Sequence, residues 1–114
     1  MSASRRCLLS VVLLLALTAT AAAQTTGSIV GRVTDEAGGV LPGVSVEARS
    51  PALQGSRTAV TDSTGAYRLE LLPPGEYTVT FTLEGYANET HEQIAVSLGR
   101  DTTLPAALRA SVSA

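Results

Sequence analysis

The chain has 114 residues, enough for one domain, and a formal net charge of −2 from eight basic and ten acidic side chains. Beyond residue 23 the charged residues are scattered without a basic stripe, so we expect no nucleic-acid surface. A single cysteine excludes a fold stapled by disulfides within the chain, and the stability must come from an apolar core.

The N-terminal segment resembles a secretory signal peptide. Arg5 and Arg6 precede an apolar run from Leu8 to Leu17, and an Ala-x-Ala pattern follows at Ala21 to Ala23. These are the charged, hydrophobic and small-residue regions of such a peptide. Cleavage after Ala23 removes the cysteine and leaves six arginines against ten acidic residues, a net charge of −4. The alternative is an uncleaved membrane anchor, which the short apolar run disfavours.

The remaining sequence predicts a series of short β-strands, because apolar and polar residues alternate with period two. Residues 24–27 form a polar lead-in, and residues 110–114 form a frayed tail. In the first strand, Gly31 leaves room for a neighbouring chain segment to come close. Glycine-rich and proline-rich turns separate seven predicted strands at residues 28–34, 44–49, 57–61, 67–71, 77–83, 94–98 and 102–109.

The fourth and fifth predicted strands form the centre of the domain. Their inward positions include Tyr67, Leu71, Tyr77 and Phe81, and thus three of the four aromatic residues of the chain. Between them, Pro73-Pro74-Gly75 suits a type II turn, since proline presets the first central φ and glycine takes the positive φ at the second. The pattern predicts a hairpin-like unit on which the other strands pack.

Seven short strands with regular turn signals predict an antiparallel β-sandwich. Four segments carry a family resemblance: Gly31-Arg-Val-Thr-Asp35, Leu41-Pro-Gly-Val-Ser-Val-Glu47, Thr61-Asp-Ser-Thr-Gly-Ala-Tyr-Arg-Leu69 and Leu72-Pro-Pro-Gly-Glu-Tyr-Thr-Val79. In order and spacing they resemble the carboxypeptidase regulatory-like domain, a transthyretin-like sandwich of seven strands among the carbohydrate-binding-like folds. The domain defined in this way covers residues 28–109.

The resemblance implies a non-catalytic accessory module. In that family the domain follows the catalytic domain of some secreted metallocarboxypeptidases, and it precedes the plug and barrel of many TonB-dependent outer-membrane receptors. Our leading hypothesis is a secreted or periplasmic interaction module whose partner is a protein or a glycan at the cell envelope. The alternatives are a carbohydrate-binding module and the truncated N-terminal extension of a TonB-dependent receptor.

Candidate catalytic residues are scarce. His91 is the only histidine, and with Glu92 it does not supply the two histidines and carboxylate of a zinc peptidase site. No Gly-x-Ser-x-Gly elbow accompanies the many hydroxyl residues, so no hydrolytic triad can be argued. We therefore expect His91 to lie in an exposed loop, and we expect neither catalytic residues nor a cofactor.

Three acidic residues are candidates for a calcium site. Asp35, Glu36 and Asp62 could meet at one end of a sandwich, and calcium takes six to eight oxygen ligands. Their Asp-x-x-Gly settings are better explained as turns, in which the carboxylate of Asp62 accepts hydrogen bonds from backbone amides further along. No metal ligand is predicted on this basis.

Tyr86 is the one candidate ligand contact, because the other aromatic residues fall on predicted core positions. A flat exposed ring would suit a sugar, whereas a half-buried ring with a wet hydroxyl would be a packing residue. Asn88-Glu89-Thr90 fits a glycosylation acceptor, or a polar turn in a host that does not glycosylate. The last strand, although interrupted by Pro105, is a candidate edge for pairing with a partner strand.

Overall fold

A computed structural model describes residues 25–111, and this part of the chain folds into two β-sheets packed face to face. None of its segments is a helix of the length and apolarity that a bilayer crossing requires. The predicted signal peptide and the last three residues lie outside the described range. The strands are β1 (Gly27–Asp35), β2 (Ser45–Arg49), β3 (Ser56–Val60), β4 (Ala66–Leu72), β5 (Gly75–Thr82), β6 (Glu89–Val96), β7 (Asp101–Thr103) and β8 (Ala106–Leu108).

The two sheets have four strands each. In the first sheet β1 lies between β4 on one side and β7 and β8 on the other, and the second sheet has the order β3, β2, β5, β6. β4 is antiparallel to β1, whereas β7 and β8 run parallel to it. The predicted all-β sandwich is confirmed, but it has eight strands instead of seven and its first sheet is mixed.

The division of the last predicted strand explains the additional strand. β7 pairs with the first half of β1 and β8 with the second half, and Leu104 and Pro105 lie between them. Proline has no N–H to donate to a ladder. A methyl group on Gly31 would lie 2.1 Å from the carbonyl oxygen of Leu104, so the close approach predicted at this glycine is confirmed.

The predicted hairpin of β4 and β5 is wrong, because the two strands lie in different sheets. The φ of Gly75 is 154°, far from the roughly +80° that a type II turn needs. The segment around Pro73 and Pro74 therefore carries the chain from one sheet to the other. Period two specifies which face of each strand is buried, and both a hairpin and a crossing satisfy that pattern.

The predicted aromatic core is confirmed. Tyr67, Tyr77 and Phe81 are buried, and the rings of Tyr67 and Phe81 meet edge to face across the sandwich with centroids 5.5 Å apart. The hydroxyl of Tyr67 donates to the Leu104 carbonyl at 2.6 Å, and the hydroxyl of Tyr77 donates to the Pro73 carbonyl at 2.6 Å. Each buried tyrosine oxygen thus has a partner, as burial requires.

Two bulges change which side chains face the core. Leu71 has a φ of 58° and is 64% exposed, while the adjacent Leu72 is buried. The register of β4 against β1 shifts at this point, so the expected inward position of Leu71 is wrong by one residue. Gln93, with a φ of 60°, marks a similar shift between β5 and β6, which begins at Glu89 and not at the predicted Ile94.

Candidate functional site

Tyr86 lies in the loop between β5 and β6. Its N–H donates to the Leu83 carbonyl at 3.0 Å, and its ring is partly buried against the core. The chain exit is held beside it, since the Ala87 N–H donates to the Arg109 carbonyl at 2.8 Å and the Ser111 N–H to Gly85 at 3.0 Å. The structure therefore supports the packing role of Tyr86 and fixes its ring at the edge of a cleft.

The cleft beside Tyr86 has a volume of about 310 Å³ and is lined by Asp35, Glu36, Ala37, Leu108 and Ala110 as well. A second cleft of about 760 Å³ shares Glu36 and adds Glu89, Ala107 and Arg109. Together we call them the Tyr86 clefts. They combine one aromatic ring with carboxylates and a guanidinium, groups that can stack on and hydrogen-bond to a polar ligand.

The charged side chains Glu36 and Arg109 of the Tyr86 clefts are exposed to solvent. Arg109 Nε lies 3.7 Å from Glu36 Oε1, and both side chains are mostly exposed. An ion pair of this kind contributes little to stability because water screens it and the side chains lose freedom. Its carboxylate and guanidinium therefore remain available to a ligand.

His91 does not lie in a loop, so that expectation is wrong. It belongs to β6, opposite Val79, because the strand begins earlier than its weak alternation indicated. Its side chain is 30% exposed, and its ring meets the Phe81 ring edge to face at 5.7 Å. Nε2 lies 3.6 Å from Glu89 Oε1 and has no hydrogen-bond partner within residues 25–111.

The acidic candidates are held in separate turns. Asp35 Oδ1 accepts from the amides of Ala37 at 2.9 Å and Gly39 at 2.8 Å. Asp62 Oδ1 accepts from the Thr64 hydroxyl at 2.6 Å and from the amides of Thr64 and Ala66. These bonds, that of the Thr64 hydroxyl above all, lower the pKa of Asp62. The turn prediction for Asp62 is confirmed, and residues 25–111 contain no group of three possible metal ligands.

One polar cluster was not found from the sequence. On the first sheet Asp101 accepts a hydrogen bond from the Ser28 hydroxyl and another at 3.1 Å from the Arg68 guanidinium. The Ser28 hydroxyl, followed by Arg68, lowers the pKa of the Asp101 carboxyl. Ser28 and Asp101 are 73 positions apart, and only the parallel pairing of β1 with β7 joins them, so no local pattern could reveal the cluster.

The sequence profile of the carboxypeptidase regulatory-like domain matches residues 28–109. The chain belongs to this family. Over 57 residues the domain is 46% identical to the TonB-dependent transporter Oar of Myxococcus xanthus, a match that covers 50% of this chain and 5% of the transporter. The regulatory-like domain thus corresponds to a small part of that relative.

Two solved structures resemble the regulatory-like domain in fold. The TIE protein of Bacillus anthracis has a TM-score of 0.61 at 23% identity, covering 75% of this chain and 17% of that protein. A candidate carbohydrate-binding protein of Bacteroides uniformis has a TM-score of 0.56 at 22% identity, covering 71% of this chain and 40% of that protein. At these identities the likeness shows a shared sandwich fold.

Proposed function

We propose that this domain is a non-catalytic interaction module at the cell envelope, with a protein or glycan partner. The observation that carries the proposal is the similarity to a TonB-dependent transporter, together with the family match over residues 28–109. The hydrogen bonds of two acidic side chains also support the non-catalytic part of the proposal. The carboxylates of Asp35 and Asp62 bind the amides of their own turns, which is a structural use of these groups.

An activity assay tests the non-catalytic part of this proposal. The exported chain is incubated with panels of peptide and ester substrates, and we expect no hydrolysis above the rate without protein. The His91→Ala variant is the matched comparison, because His91 is the only imidazole in the chain. Turnover that is present in the parent chain and absent in His91→Ala would overturn the proposal.

The envelope location is tested by following the exported product. We propose that residues 1–23 act as a signal peptide, so the N-terminal sequence of the exported protein should begin at Gln24. Cell fractionation should find the domain in the periplasm or with the outer membrane. A product that keeps Arg5 and Arg6, or one that remains in the cytoplasm, contradicts this part of the proposal.

Carbohydrate binding is the second candidate function, and the Tyr86 clefts favour it. A half-buried ring beside carboxylates and a guanidinium offers one stacking surface and several hydrogen-bonding groups. A glycan array followed by calorimetry should then give saturable binding that Tyr86→Ala abolishes. Leu71→Ala is the control, because Leu71 is exposed and lines a different cleft. Binding that survives Tyr86→Ala excludes the cleft that Tyr86 lines.

A third candidate is the N-terminal extension of a TonB-dependent receptor, which the similarity to the Myxococcus transporter favours. In this arrangement the domain would present its partner near a receptor plug and barrel. Reading the nucleotides that follow the Ala114 codon tests it. A plug sequence in any frame supports the candidate, and an unrelated downstream region contradicts it.

A further inference from the structure

β3 is the outermost strand of the second sheet, and its free edge is regular. All five of its residues pair with β2 without a register shift. The strand contains no proline, no positive φ and one charged residue, Arg57, and its last residue, Val60, is 63% exposed. A regular edge without a bulge or a proline is a template for pairing with another strand.

The other sheet edges within residues 25–111 carry features that obstruct strand pairing. β6 bulges at Gln93, and β4 bulges at Leu71. The Glu70 carbonyl of β4 also accepts a hydrogen bond at 3.3 Å from the guanidinium of Arg57, a residue of β3, so this acceptor is already used. β7 and β8 have three residues each and are separated by Pro105. The last predicted strand, expected to offer a docking edge, is therefore a poorer template than β3.

The ladder between β2 and β3 determines which main-chain groups of β3 face outward. The Thr61 N–H donates to the Val44 carbonyl at 3.0 Å, so this pair occupies a hydrogen-bonded position of the antiparallel register. Such positions recur at every second residue, so the main-chain N–H and C=O groups of Arg57 and Ala59 also point toward β2. The N–H and C=O groups of the alternate residues point away from the sheet: Ser56, Thr58 and Val60.

We infer that β3 pairs with β3 of a second copy of this chain, antiparallel and centred on Thr58. In this register Thr58 faces Thr58 of the second copy, and Ser56 faces Val60. The three outward-pointing residues of each strand then form about six main-chain hydrogen bonds. The second sheet of each copy has four strands, and the pairing joins these two sheets into one sheet of eight strands.

The side chains of β3 favour a second copy as the occupant. A two-fold axis at Thr58 maps the pattern of donors and acceptors onto itself. Threonine beside threonine is a favourable cross-strand pair, and Arg57 is directly opposite Ala59 of the second copy. The two Arg57 residues are diagonal neighbours, and each guanidinium is directed to the Glu70 carbonyl of its own chain. The Glu47 side chains, next to Thr58 on β2, are separated by three strand spacings or about 14 Å, beyond the screening length of about 8 Å.

A charge-swap experiment tests this pairing. The exported chain is studied by sedimentation equilibrium at concentrations up to about 500 µM, and we expect a weak, concentration-dependent dimer, because the interface between two β3 strands is small. Thr58→Lys and Thr58→Glu each place like charges opposite each other across the axis. Each should weaken self-association at least about tenfold, and an equimolar mixture should restore it.

Matched controls distinguish the interface between the two β3 strands, which we call the seam, from the rest of the sheet. Thr82→Lys adds the same charge at an exposed position on β5, two strands away from the seam, and should leave the dimer unchanged. A parent chain that stays monomeric at about 500 µM overturns the inference, since even a short seam associates weakly at that concentration. Thr58 variants that dimerise like the parent, or a mixture that fails to restore the dimer, overturn it as well.

Discussion

The substitution Gly31→Ala should destabilise the domain strongly, although it adds only one methyl group. That methyl would lie 2.1 Å from the Leu104 carbonyl oxygen, 2.8 Å from its carbon and 3.0 Å from Cε1 of Tyr67. Two of these atoms belong to the backbone, which cannot rotate away as a side chain can. The segment between β7 and β8 must therefore move off β1.

The magnitude follows from what that segment holds together. The Leu104 N–H donates to the Val30 carbonyl at 2.8 Å, and the Leu104 carbonyl accepts from the Tyr67 hydroxyl at 2.6 Å. Overpacking of a core costs about 1 to 3 kcal/mol, and a buried hydroxyl that loses its partner costs about 1 to 3 kcal/mol more. We expect a loss of about 2 to 6 kcal/mol in the free energy of unfolding.

Urea unfolding at neutral pH measures this loss, and Gly55→Ala is the matched control. Gly55 has a positive φ of 79° and open space around it, so alanine there should cost only about 1 kcal/mol through backbone strain. A double-mutant cycle with Tyr67→Phe tests the mechanism. If Gly31→Ala acts through the Tyr67 bond, the double variant should lose less free energy of unfolding than the sum of the losses in the two single variants. Full additivity, or a Gly31→Ala loss no larger than that of Gly55→Ala, would refute the reasoning.

Three further predictions concern the pH dependence of stability, the side chain of His91 and the aromatic core. The pKa values of Asp62 and Asp101 are lowered from 3.8 in the fold, so their stabilising contribution is present above about pH 4 and disappears as the pH falls through the folded values. Urea midpoints from pH 7 to pH 2 should show this loss, and Asp101→Asn should reduce the dependence. His91→Leu should stabilise the domain by about 1 kcal/mol by removing a buried nitrogen without a partner in the described chain, as thermal melting would show. Phe81→Ala should cost about 3 to 5 kcal/mol in urea unfolding, because it empties the centre of the core.

Much of the fold could be predicted from alternation alone, because burial on one face of a strand leaves a pattern in the sequence. The inward rings of Tyr67, Tyr77 and Phe81 are buried as predicted. The close contact at Gly31 and the turn at Asp62 were also predictable, since each depends on the chemistry of one residue in its local setting.

The pairing of strands could not be predicted in the same way. Alternation in β4 and β5 is satisfied whether the strands are neighbours in one sheet or face each other across the core. Bulges at Leu71 and Gln93 occur at residues that ordinarily avoid a positive φ, so neither has the glycine or asparagine that would announce it. The placement of His91 and the Asp101 cluster depends on these pairings and therefore remained hidden.

The composition of the core limits how this domain can recognise a partner. Three of its four aromatic rings are buried, and the hydroxyls of Tyr67 and Tyr77 are bound to main-chain carbonyls, so these groups are withdrawn from any surface. Two proposed means of recognition remain, the half-buried ring of Tyr86 and the main chain of the β3 edge. The first would select a ligand by side-chain chemistry, whereas in the second the main-chain hydrogen bonds give affinity and the side chains beside them give specificity. Because Tyr86 and Thr58 lie on different elements, Tyr86→Ala should abolish glycan binding and leave the dimer unchanged, whereas Thr58→Lys should weaken the dimer at least about tenfold and leave glycan binding unchanged.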